Sequence, residues 1–223
     1  MAYNARFVSE PPESLRDLVK PEYKRRVVIR DEFADQVIIW GKAMGYEDPT
    51  KMSKEDLNEV IEFVVKVKRA ADAPVLTLGP MLERLVSGEA WICSSAGWEG
   101  FPKLAAQHGA EVRLAHPKEG DHAWMDAWCI PKDAPNVDTA YAWIDWMIGS
   151  AAQHIVCRNL VCGTVNRKAV ELLDAETKAI FPHDDLGNVF KNGADFDLPA
   201  LKPTRGRATL DDWERAWERV RTA

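Results

Sequence analysis

Several features that mark enzymes and metal proteins are missing from this 223-residue chain. Its four cysteines, Cys93, Cys129, Cys157 and Cys162, are too few and too scattered for a disulfide scaffold. No Cys-x-x-Cys pair occurs, and the five histidines show no His-x-x-x-His spacing, so a structural zinc site is not expected. The Gly-x-Ser-x-Gly elbow, the phosphate-cradling Gly-x-x-x-x-Gly-Lys and the dinucleotide Gly-x-Gly-x-x-Gly are also missing. No cofactor is expected. There is no basic excess: 35 acidic side chains face 29 basic ones, a net charge of −6, which argues against nucleic acid or an anionic membrane as a partner. No apolar run approaches the roughly 18 residues that a membrane-crossing helix needs. Residues 1–6 show neither the basic nor the apolar stretch of a secretory leader. Either the chain is cytosolic, or an export signal has been removed from it.

What the chain has in plenty is indole: nine Trp against four Tyr and seven Phe. Local pattern places these rings. Val27-Val28-Ile29 is a short β-branched run suited to a buried strand, and it empties into the acidic start of a helix over 33–44 that stops at Gly45. Ser53 caps a long helix carrying Leu57, Val60, Ile61 and Val64, with Asp56 approximating the acid of a capping box. Residues 73–78 read as extended, 80–87 as a helix closed by Gly88, and 90–94 as a second apolar strand opening into the turn 96–100. A short helix over 102–108 and a strand over 111–115 follow. The alternation in Trp124–Ile130, ended by Pro131, predicts one further strand, and the remainder reads as helices over 137–148, 151–157, 167–173 and 210–222. Residues 182–206, rich in Pro, Gly and Asp, read as an extended surface segment. Strands alternating with helices across short loops predict a twisted α/β sheet.

Ligands of open α/β sheets bind beyond the carboxyl ends of the strands. There the sequence repeatedly pairs acids with indoles: Asp31, Glu32 and Asp35 after the first strand, Trp98-Glu99 after the second, Trp124 and Asp126 on one face of the third. An ammonium group is served by both residue types, through charge-assisted hydrogen bonds and cation–π attraction of about 0.5–2 kcal/mol. The expected site is a slot for an elongated organic cation. Asp31 or Glu32 taken alone is better explained as an acid complementing a helix dipole. Trp40, Trp143 and Trp146 lie on helical stripes and are assigned to packing. Cys93 with His108, His116 or His122 makes a weak nucleophile–base pairing, because a cysteine inside an apolar strand is ordinarily inert. Asp121-His122 and His183-Asp184-Asp185 sit in polar turns, where solvation explains them better than metal. Cys157 and Cys162 are close enough to pair in an oxidising compartment, although free buried thiols are the preferred reading.

Several ordered pieces then carry a resemblance. They are Ser14–Lys24, Val28–Glu32, Ala43–Tyr46, Leu85–Glu89, Trp98–Gly100, His116–Gly120, Trp124–Pro131, Ala134–Asn136 and Thr164–Asn166. In order and spacing the chain resembles the extracellular solute-binding proteins of ABC importers, in particular the spermidine/putrescine-binding group. The resemblance implies a type II periplasmic-binding-protein fold of two α/β lobes closing on a ligand. It also implies a polyamine or similar small cationic solute, held by Glu32, Asp35, Trp98, Trp124 and Asp126, a membrane permease as partner, and a periplasmic or membrane-associated location for the full-length parent. Set against the family pattern, about a hundred residues are missing before Tyr3, within the size of a domain. Residues 1–114 are therefore expected to form the second lobe, and 115–223 the return to a first lobe lacking its leading strands. Where the family often carries an aromatic near Thr164–Asn166, this chain has Val161 and Cys162, so a non-polyamine solute is the alternative. Two further readings are an interaction module dimerising through an incomplete sheet and a hydrolase built on the same acids, whose turnover would vanish on Asp126→Ala.

Overall fold

A computed structural model describes residues 1–181, 183–185, 187 and 198–223. Five short strands form one sheet: β1 (Ala2–Asn4), β2 (Val27–Arg30), β3 (Val75–Leu76), β4 (Ile92–Cys93) and β5 (Val112–Leu114), in the order β3-β2-β4-β1-β5. β2 runs parallel to both β3 and β4, whereas β1 lies antiparallel between β4 and β5. The helices in chain order are α1 (Phe33–Met44), α2 (Lys54–Ala71), α3 (Leu78–Ser87), α4 (Phe101–Gln107), α5 (Val137–Ile148), α6 (Ser150–Leu160), α7 (Arg167–Leu172), α8 (Ala175–Ile180) and α9 (Leu210–Thr222).

The β-branched run of β2 is buried on both sides, as a central parallel strand requires. Val27 and Ile29 point into a core shared with α1, α2 and α9, and Val28 into a second core shared with α3 and α4. The sheet is thus the middle of three layers. No local pattern predicts β1, since three residues show no usable period; its burial between β4 and β5 is what makes it a strand. At α2 the shorter Asp does the work of a Glu: Asp56 N–H donates to Ser53 Oγ at 3.1 Å and Ser53 N–H donates to Asp56 Oδ2 at 2.9 Å, a complete capping box.

After residue 115 the expectations need three amendments. Residues 121–130 form no strand, because among the described residues no neighbouring strand offers them a ladder. The stripe of α5 is not core: Trp143 is 51% and Trp146 57% exposed, and these rings pack on each other and on Trp128. Periodicity shows that a helix has an apolar face, and the described residues supply no layer to cover this one. Finally, α9 does not stay with the rest of 115–223. Trp213 and Trp217 are fully buried against α1 and α2, and the Lys68 ammonium binds the Val220 carbonyl at 2.8 Å and the Ala223 carbonyl at 2.9 Å. Apart from 183–185, 187 and 198–206, the segment 182–206 lies outside the described residues.

Candidate ligand-binding rim

The carboxyl ends of β2 and β4 lie side by side, so the turns that leave the two strands are brought together. Of the three acids after β2, Asp31 turns away from this place. It accepts from Trp217 Nε1 at 2.9 Å and Arg221 Nε at 2.8 Å, fastening α9 to the sheet. Glu32 caps α1, its Oε2 receiving the Asp35 N–H at 2.7 Å.

Asp35 is largely enclosed, its side chain 13% exposed. Its Oδ1 lies 3.1 Å from His122 Nδ1, Gln36 Nε2 donates to its Oδ2 at 3.3 Å, and Arg30 Nη1 stands 3.8 Å from the same oxygen. Burial by itself pushes the Asp35 carboxyl up; hydrogen bonds from His122 and Ser95 and the charges of His122 and Arg30 outweigh it, and the group is held below the usual carboxylate range. Gln36 extends the network, its Oε1 accepting from Trp40 Nε1 at 3.1 Å and from the Ser94 hydroxyl at 2.8 Å. Trp40 is core, as expected. His122, weighed in the sequence only as a base or metal ligand, is the residue by which the segment after β5 grips α1. Its signal was its place two residues before Trp124 and four before Asp126, a spacing readable only once that segment is known to cross the sheet end.

The turn after β4 lies on the other side of Arg30. Gly97 has φ +90°, a conformation that favours glycine; a Cβ there would lie 2.3 Å from Arg30 Nη1 and would push the end of that side chain aside. Its carbonyl accepts from Trp124 Nε1 at 3.2 Å. Trp98 stands edge-on to Phe101, centroids 5.9 Å apart, and donates to the Leu160 carbonyl at 3.1 Å. Trp124 remains 50% exposed, and Asp126 is exposed. The charges of Asp126 and Glu99 both reach the Cys162 thiol and help to raise it, behind a hydrogen bond to Cys157 and burial.

Glu32, Asp35, Trp98 and Trp124 are therefore joined in one neighbourhood through His122, Arg30 and Gly97, and Asp126 follows Trp124 by two residues on the exposed side. Asp35 differs from the others in being occupied from within by two basic side chains. Cys93 is fully buried and its thiol is pushed up to about 11 by burial, so it is no nucleophile. Among the described residues no group of three His, Cys, Asp or Glu side chains forms a metal cage, and no helix is long and apolar enough to cross a membrane.

A family model described as bacterial extracellular solute-binding protein matches residues 1–203, and the chain belongs to that family. Members of the family bind solutes and are not enzymes. The spermidine/putrescine-binding periplasmic protein of Escherichia coli is 28% identical over 187 residues, 81% of this chain and 50% of that relative. The chain thus spans about half the length of the curated relatives it matches. Among solved structures, the TpPotD lipoprotein of Treponema pallidum superposes with a TM-score of 0.75 at 16% identity, over 100% of this chain and 66% of that one. The binding protein AgtB of Agrobacterium tumefaciens, in complex with agropinic acid, gives a TM-score of 0.59 at 18% identity over 99% and 64%. The α/β binding-protein fold expected from the sequence is the fold observed.

Proposed function

We propose that this chain supplies a large part of the substrate-binding component of an ABC importer, and that the rim of Glu32, Trp98, Trp124 and Asp126 reads a small organic cation of the putrescine or spermidine kind. The observation that supports this most is the bond from the Trp124 indole to the Gly97 carbonyl. It holds the segment bearing Asp126 against the turn bearing Trp98, as a site shared by indoles and carboxylates of separate loops requires. In this reading Asp35 organises the rim from beneath, and its pairing with His122 docks the 115–126 segment onto α1. A membrane permease is the partner and the periplasm the place of work.

The proposed organisation has residues 1–114 as one lobe, joined by α9, with 115–181 crossing to the other. The apolar groove of about 380 Å³ between Trp128, Ile130, Pro131 and the Trp143 face of α5 is then the surface on which the remainder of the second body packs. The third of the neighbouring structures' length that this chain does not match is enough for it. Self-association of the chain is the alternative way of covering the same apolar face.

One observation favours a second reading. Arg30 brings positive charge to the floor of the rim, which suits a solute carrying a carboxylate as well as an ammonium. Titration calorimetry on the full-length protein containing this chain, with putrescine, spermidine, a zwitterionic amino acid and a dicarboxylate, decides. Binding of the two polyamines supports the first reading and binding of the zwitterion alone the second. Binding of the dicarboxylate alone removes the cation-binding claim.

A further inference from the structure

The end of α6 carries a pair of sulfurs that the solute site does not use. Cys157 is fully buried in the helix's last turn and Cys162 is half-buried in the turn beyond. Between them Val161 adopts the left-handed conformation, φ 54° and ψ 57°, unusual for a β-branched residue. In such a helix ending the residue after the left-handed one folds back onto the last turn, and here that brings Cys162 to Cys157. The two thiols stand close enough to shift each other, Cys157 downward and Cys162 upward. Close packing pins the turn on its outer side. A Cβ on Gly100 would lie 2.3 Å from Trp98 Nε1 and 2.6 Å from the Val161 carbonyl, and one on Gly163 would lie 2.8 Å from the Phe181 ring. The Leu160 carbonyl in this turn is the acceptor of the Trp98 indole.

We propose that Cys157 and Cys162 are a redox-active pair that closes to a disulfide by exchange with an external disulfide, locking the turn on which Trp98 rests. The chemistry balances in two steps. Cys162, the more accessible sulfur, attacks one sulfur of the reagent as its proton passes to the Cys157 thiolate; a mixed disulfide forms, the reagent's S–S bond breaks, and one reagent thiolate leaves and is protonated by solvent. The Cys157 sulfur then attacks the Cys162 sulfur, the protein disulfide forms, and the second reagent thiolate leaves with a proton. Two electrons pass from the protein thiols to the reagent's sulfurs. The Cys162 thiol lowers the Cys157 thiol and is itself raised, so the first thiolate of the pair sits on Cys157 and serves as the base for the attack by Cys162. Only the occasion for closure in the cell, an oxidising periplasm, rests on the export reading above.

Peptide mapping of the full chain tests this. The protein is incubated with oxidised glutathione near about pH 8, where ordinary thiols begin to ionise. It is then alkylated and digested with trypsin without reduction. Cleavage after Arg158 separates the two cysteines, so the bond would join peptide Asp133–Arg158 to peptide Asn159–Arg167. The linked pair is expected as the main oxidised product, and in Cys157→Ser the Cys162 peptide should retain glutathione because nothing resolves it. Recovery of both cysteines alkylated, or glutathione on Cys129 alone, overturns the proposal. If the variant does not fold, the map of the unsubstituted chain decides alone. Because the readout is a covalent link and not solute affinity, its failure leaves the solute-binding reading standing.

Discussion

His122 Nδ1 lies 3.1 Å from Oδ1 of Asp35 across a sequence separation of 87 residues. This contact, with Arg30 on the second oxygen, fastens the first helix to the segment carrying Trp124 and Asp126.

The Asp35 carboxyl is lowered in the folded protein, so the sign of its linkage is set. Its contribution is fully present above the unfolded carboxyl pKa of about 3.9 and is lost as pH falls through the lower folded value. Asp35→Asn is expected to destabilise by about 1.5–3 kcal/mol at neutral pH, the range for a hydrogen bond to a charged group. The variant should also lose part of the acid-induced fall in stability. Urea unfolding at neutral pH and about pH 3 checks both; equal stability of the two proteins at neutral pH would contradict the assigned role.

Gly97→Ala places a methyl 2.3 Å from the Arg30 guanidinium at a backbone φ of +90°. Left-handed strain costs about 1–3 kcal/mol, and the displaced arginine weakens its hold on Asp35. Thermal unfolding should show the loss. An unchanged midpoint would mean that the turn tolerates a side chain and that its geometry is not fixed by this contact.

Trp217 is fully buried and donates to Asp31 at 2.9 Å. Trp217→Phe removes the donor and part of the ring volume, with an expected loss of about 2–3 kcal/mol in urea unfolding. A neutral result would mean that α9 contributes little to the body formed by residues 1–114.

Trp143 and Trp146 lie exposed on a helix with no buried residue. The chain by itself is expected to associate with increasing concentration, and Trp143→Ser with Trp146→Ser to reduce that association, with little change in unfolding free energy. Light scattering measures it. A parent chain that stays monomeric at all concentrations would show that this face needs no cover.

These cases also show what the sequence makes legible. β2, α1 and the capped α2 could be read because their signals are local: a β-branched run, a glycine stop, a serine three residues before an acid. Trp98, Trp124 and the carboxylates were visible as chemistry at strand ends. What escaped depends on partners distant in the chain. Ala2–Asn4 is a strand only because β4 and β5 flank it. Residues 124–130 alternate like a strand but have no strand beside them among the described residues, and the bond between Asp35 and His122 spans 87 residues of sequence.

Calorimetric titration of a diamine or triamine into the full-length protein and its Asp126→Asn and Trp98→Ala variants tests the central claim most directly. A charge-assisted hydrogen bond or a cation–π contact worth about 1.4 kcal/mol corresponds to a tenfold change in affinity. Each substitution should therefore weaken polyamine binding about tenfold or more while the folded state persists. Full affinity in both variants, or no polyamine binding in a folded parent, would contradict the account.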